Sequence, residues 1–167
     1  ALSITGVSLT DLRLGAFMAG GPTHSGQMVT VDTAIQLDTV WACVRLLSET
    51  IASLPLKLYL RETENTSSVA RSHPLFSILY DRPNADMTGI EFWGCMVACL
   101  LTWGNAFAQV VKRGDGTIIA LNPLRPDRMT VRRDPNTGEL IYTYAWQQQL
   151  LTLSEDQIFH IKGISFD

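Results

Sequence analysis

Cysteine is scarce. Three in 167 residues do not make a disulfide framework in a chain of this length, so a reducing interior is the expectation. Charge is sparse too. Charged residues make up 17% of the chain and the net charge is −3, which leaves no global basic footprint for nucleic acid. No apolar run approaches the roughly 20 residues of a membrane span. No basic segment before an apolar core marks a signal peptide. A Walker loop, Gly-x-Ser-x-Gly and His-Glu-x-x-His are all missing, and Gly114 and Gly116 belong to a turn. No internal repeat is found. What remains is a chain that is 46% hydrophobic, enough to bury a core and to argue against disorder. Its length suits one domain or a piece of a larger protein.

The most informative stretch is 33–60. Leu37, Val40, Val44, Leu47, Ile51 and Leu54 recur every third or fourth position, one stripe down a helix. Thr33 and Gln36 have capping-box chemistry. Arg45 precedes Glu49 by one helical turn, in ion-pair reach. Pro55 ends the helix by removing a donor and disfavouring the α conformation at Leu54. Leu56, Leu58 and Leu60 then alternate with polar residues, which predicts a strand. A helix of roughly 20 residues is roughly 30 Å long, and it is expected to be the scaffold for the rest.

Residues 1–28, with Gly15, Gly20, Gly21, Pro22 and Gly26, read as a flexible arm. Val29 to Val31 suggests a short strand. Residues 62–71 read as an exposed polar loop, and 73–80 as a short helix with Pro74 in its first turn. Thr88 and Glu91 form a second capping box opening an apolar helix over 90–103. Phe92, Trp93, Cys95, Met96, Val97, Cys99, Leu100 and Leu101 leave it almost no polar face, so burial all round is expected, in part by partner chains. Gly104 suits its C-cap. Strands follow at 106–112 and 117–121 around an Asp-Gly turn. Next come a two-proline connector at 122–126, strands at 129–133 and 139–146 around a turn, and strands at 151–153 and 158–161. The class is α+β: a long amphipathic helix and a second apolar helix packed on mainly antiparallel hairpin strands.

Chemistry-bearing residues are few. Cys95 and Cys99 lie one helical turn apart, but a zinc site of that kind wants a second pair, and His24, His73 and His160 are far apart in sequence. Buried packing is the expectation for all three cysteines, Cys43 included. Asp81, Asp86 and Glu91 suit turn and helix-start hydrogen bonding better than acid–base work. Arg125, Arg128, Arg132 and Arg133 form the one basic cluster, with Asp127 and Asp134 among them. It is a candidate contact for DNA phosphates or for another subunit, the latter favoured. His160 reads as structural. Trp41, Trp93, Trp103 and Trp146 read as packing groups rather than base-stacking platforms.

Several segments together resemble the N-terminal part of the portal proteins of tailed, siphophage-type bacteriophages. They are Thr33-Ala34, then Val40-Trp41-Ala42-Cys43-Val44-Arg45, then Ala52-Ser53-Leu54-Pro55. Further on come Pro83-Asn84, Gly104-Asn105 and the strand Ile158-Phe159-His160-Ile161. The resemblance covers roughly 29–167 and implies a partial portal wing-like α+β domain, with the stem, clip and crown regions having no counterpart. It implies a structural subunit, not an enzyme, with no cofactor. Such a subunit belongs to a dodecameric ring at one capsid vertex, the conduit for double-stranded DNA during packaging and ejection. Its implied partners are other copies of itself, the major capsid protein, terminase and the threaded DNA. Its implied place is the virion, and the host cytoplasm during assembly. Residues carried over as assembly segments are Thr33, Ala34, Val40, Trp41, Cys43, Arg45, Leu54, Pro55, Pro83, Asn84, Gly104, Asn105 and His160. Two alternatives stand beside it: a small metal- or acid-dependent enzyme using Cys95, Cys99 and a histidine, and a stand-alone nucleic-acid-binding module using the arginines.

Overall fold

A computed structural model describes residues 29–163 apart from 136 and 148; the arm expected at 1–28 lies outside the described residues. Two compact units divide the chain, residues 1–43 and 44–167.

In the first unit, Val29–Val31 is not a strand. Thr30 caps a short helix, α1 (Val31–Ile35), its side chain accepting from the Thr33 amide while Thr33 accepts from the Thr30 amide. The capping box is therefore Thr30–Thr33, not Thr33–Gln36. Gln36 closes α1, and a second helix, α2 (Asp38–Ala52), starts after a break at 36–37. Two helices thus replace the single one expected from 33. A threonine placed three residues after another satisfies two orphan amides early and sets the start one turn upstream.

In the second unit, α2 continues from Val44 and turns an unexpected face inward. Ser48 and Ala52 are buried, and the leucine stripe is not. Leu47, Ile51 and Leu54 are about half or more exposed, at 49%, 46% and 65%. Ser48 tolerates burial because its hydroxyl donates to the Val44 carbonyl at 2.7 Å. Strand β1 (Tyr59–Arg61) pairs antiparallel with β2 (Ser67–Val69), so the polar stretch 62–71, expected as a loop, holds a strand and the turn of a hairpin.

Helix α3 (Pro74–Tyr80) is capped by His73, whose Nδ1 accepts from the Leu75 amide. Helix α4 (Gly89–Trp103) carries the expected Thr88–Glu91 capping box and ends on Gly104 at φ +70°, a left-handed C-cap that glycine adopts freely. Gly89 is needed for a different reason: a Cβ there would collide with the carbonyl oxygen of Tyr80. Within this chain α4 is not buried all round. Phe92 and Met96 are buried, whereas Ile90 and Leu101 are exposed.

The remainder is two three-stranded antiparallel sheets. The first has order β4-β3-β8, built from β3 (Asn105–Lys112), β4 (Ile118–Leu124) and β8 (Ile158–Lys162). The second has order β5-β6-β7, from β5 (Met129–Arg133), β6 (Leu140–Trp146) and β7 (Gln149–Leu153). The start of the expected proline connector is in fact strand: Pro123 sits opposite Ala108 in β4. A proline is tolerated there because β4 is an edge strand with no further strand needing its missing donor.

Strand β3 explains the layering. Its side chains alternate between the two faces. Ala106 and Ala108 join Ile78, Phe92, Met96 and Leu121 in a core beneath α3 and α4. Phe107 points the other way, into a second core with Tyr142, Leu153 and Ile158 between the sheets. Alanines on one side let the helices approach closely, and the phenylalanine fills the gap on the other.

Candidate functional site

Two family-like segments close the fold by polar contacts over long sequence distances. The first is Pro83-Asn84. Pro83 is fully buried, and its carbonyl accepts from the Leu121 amide at 2.7 Å. Asn84 Nδ2 donates to the Leu121 carbonyl at 2.9 Å, and Oδ1 accepts from the amides of Asp86 and Met87 at 3.0 and 2.9 Å. The segment therefore covers the free edge of β4 and shapes the turn into α4.

The second joins Asn105 to His160, 55 positions apart. Asn105 opens β3 directly after the Gly104 cap, and His160 lies opposite Phe107 in β8. His160 Nε2 is 2.9 Å from Asn105 Oδ1, and Nδ1 is 3.2 Å from Tyr142 Oη of β6. The imidazole stacks on Phe107 with centroids 4.4 Å apart. Burial, and then the charge of Lys162, holds the His160 pKa below its ordinary value. Burial, and then Glu155, pushes the Tyr142 phenol up. Tyr142 had no distinguishing signal in the sequence beyond its place in a strand.

The first family-like segments behave differently. Val40 is half-buried, while Thr33, Trp41, Cys43, Arg45, Leu54 and Pro55 are exposed and Ala34 is intermediate. Cys43 was expected to be buried and is not. Arg45 and Glu49 do form their one-turn ion pair at 2.7 Å.

The four arginines have different surroundings. Arg125 is held bidentate by Asp127, at 3.0 and 2.9 Å. The Arg128 guanidinium lies 5.8 Å from the Trp146 ring centroid, a cation–π distance. Arg133 donates to the Gly138 carbonyl at 2.6 Å, across its own hairpin turn. Arg132 precedes it in β5 and projects from the opposite face. Adjacency in a strand separates side chains rather than gathering them.

Of the tryptophans, Trp93 packs against the first core and donates to the Leu79 carbonyl at 2.9 Å. Trp41 and Trp146, expected as packing groups, are each half exposed. Cys95 and Cys99 are half-buried and share a hydrogen bond, which lowers Cys95 and, with burial, raises Cys99. Among the described residues no three His, Cys, Asp or Glu side chains are grouped to hold a metal. Among the carboxylates, Glu91 caps α4, while Asp81 and Asp86 are exposed on the turn before it. A surface hollow of about 530 Å³ is lined by residues 139–141 and 152–157. Among the described residues no helix is long and apolar enough to cross a membrane.

The family model for phage portal protein matches residues 38–167. The chain belongs to the phage portal protein family. It is 35% identical over 133 residues to the portal protein of Enterobacteria phage HK97, covering 79% of this chain and 31% of that protein. It is 37% identical over 115 residues to the probable portal protein of Streptomyces phage phiC31, covering 67% of this chain and 24% of that one. Among solved structures, its fold is similar to a chain in the neck of a native GTA particle computed with C12 symmetry. The TM-score is 0.61 and the identity 23%, over 75% of this chain and 32% of that one. This chain thus spans about a third or less of the length of these portal relatives.

Proposed function

We propose that this portal-family chain is the wing part of a subunit in a dodecameric ring at one capsid vertex of a tailed phage or prophage particle. The ring is the conduit for double-stranded DNA and the docking point for terminase and tail. It contacts the major capsid protein and is assembled in the host cytoplasm before residing in the virion. The chain itself carries no catalysis; the family is structural, and the motor belongs to terminase. The observation that supports this is the family match running unbroken through both cores, from α2 to β8. Portal family-like segments, Pro83-Asn84 and Gly104-Asn105 with His160, are here the joints of the domain rather than a reactive site. The roles of Thr33, Ala34, Val40, Trp41, Cys43, Arg45, Leu54 and Pro55 would be in assembly, since most of them present side chains to the surface.

Nothing in the geometry favours the enzyme alternative, because the thiol pair lacks a third ligand beside it among the described residues. The nucleic-acid module is less favoured, since three of the four arginines have partners within the domain. Disruption of the gene in its host tests the proposal. Capsids should form without packaged DNA, and an intact copy supplied in trans should restore filling. Normal yields of filled, tailed particles from the disrupted strain would sink it.

A further inference from the structure

The Asn105–His160–Tyr142 trio lies where the two sheets meet. Its three side chains come from β3, β8 and β6, so one imidazole ties both sheets together. With the amide oxygen of Asn105 facing Nε2, the ring proton sits on Nε2. That leaves Nδ1 as the acceptor for the Tyr142 hydroxyl. Phe107 covers one ring face, and the Tyr142 ring meets the imidazole edge-on at 86°.

We propose that this trio is a proton-sensitive clamp between the two sheets, firm while the imidazole is neutral and weakened when it takes a second proton. A proton on Nδ1 confronts the Tyr142 hydroxyl with a donor. The hydroxyl must then turn its own hydrogen away, and among the described residues no second partner for it is seen. Leaving a largely buried hydroxyl without an acceptor is unfavourable. The surrounding charges are mixed. β8 itself brings Lys162, which opposes a second charge on the ring, and the turn before β8 brings Glu155, which acts on the Tyr142 phenol. β3 brings only Asn105 and Phe107, which carry none. Because burial depresses the folded-state pKa, the unfolded chain binds the proton more readily. Stability from the clamp is therefore full above the unfolded value of about 6.5 and is lost as pH falls from there through the depressed folded value.

The test combines an NMR titration of the His160 ring with thermal melts at about pH 8 and about pH 5, either side of the ordinary histidine range. The chain as it stands is compared with His160→Gln and Tyr142→Phe. The expected result is a His160 titration below the ordinary value and a loss of Tm on acidification that shrinks in both variants. Tyr142→Phe should also raise the His160 pKa, since no hydroxyl then needs Nδ1 as acceptor. A His160 titration at or above the ordinary value overturns the proposal, as does an acid loss of Tm unchanged in the variants. Should His160→Gln fail to fold, the titration and the Tyr142→Phe comparison still decide.

Discussion

Replacing Asn84 with alanine removes three hydrogen bonds at once. Nδ2 no longer reaches the Leu121 carbonyl, and the amides of Asp86 and Met87 lose their acceptor. Each such bond contributes about 1 kcal/mol net, so the expected loss is about 3 kcal/mol. The Pro83 carbonyl still accepts from the Leu121 amide, so the edge of β4 should loosen rather than detach. For a domain of this size about 3 kcal/mol corresponds to a fall in Tm of roughly 10 °C. Urea unfolding measures it directly: the midpoint should fall with the slope unchanged, because the surface exposed on unfolding is the same. Asp86→Ala is the control. It keeps the backbone amide that Asn84 holds and removes only an exposed carboxylate, so it should cost less than about 0.5 kcal/mol. A loss below about 1 kcal/mol for Asn84→Ala, or equal losses for the two variants, would mean that water replaces these bonds and that Pro83 alone secures the edge.

Three further outcomes follow from the same geometry. Phe92→Ala should destabilise by about 3–5 kcal/mol, because its ring is fully enclosed in the first core, whereas Ile90→Ala on the same helix should change little; comparable denaturant midpoints for the two would refute the assignment of the buried face. Glu91, whose pKa is lowered by the Thr88 backbone hydrogen bond and then by the Thr88 hydroxyl, stabilises α4 above the unfolded carboxylate value. That contribution is lost as pH falls through the depressed value, and Glu91→Gln should flatten the acid limb of a pH–stability profile. Leu101→Asp should leave the melt of this domain near wild type, since the side chain is 45% exposed. If the ring buries it, light scattering of the assembled subunit should show assembly lost, and intact rings would place Leu101 outside any subunit contact.

Local chemistry was legible in the sequence. The Thr88–Glu91 capping box, the Gly104 C-cap, the Pro74 helix start and the Asp-Gly hairpin each depend on residues within a few positions of one another. Strand periodicity likewise announced most of β3 to β8, because alternation is fixed by the pleat of a single strand. The order of those segments also carried the family resemblance that the comparisons bear out. What the chain alone did not disclose were choices between equally regular local options. The stripe of Leu47, Ile51 and Leu54 was a sound helical signal, yet α2 buries Ser48 and Ala52. Ala52 approaches Gly94 of α4, where a small side chain meets a missing one. Hydrophobicity ranks the faces of a helix, but the shape of the opposing surface decides which face can come close. The four arginines are near in sequence, but the partners of three of them, a carboxylate for Arg125, an indole ring for Arg128 and a backbone carbonyl for Arg133, appear only in the folded chain. Asn84 reaching Leu121, and His160 joining Asn105 to Tyr142, depend on the register of strands far apart in the chain. Register is set by the packing of whole sheets, so those joints exist only in the tertiary structure.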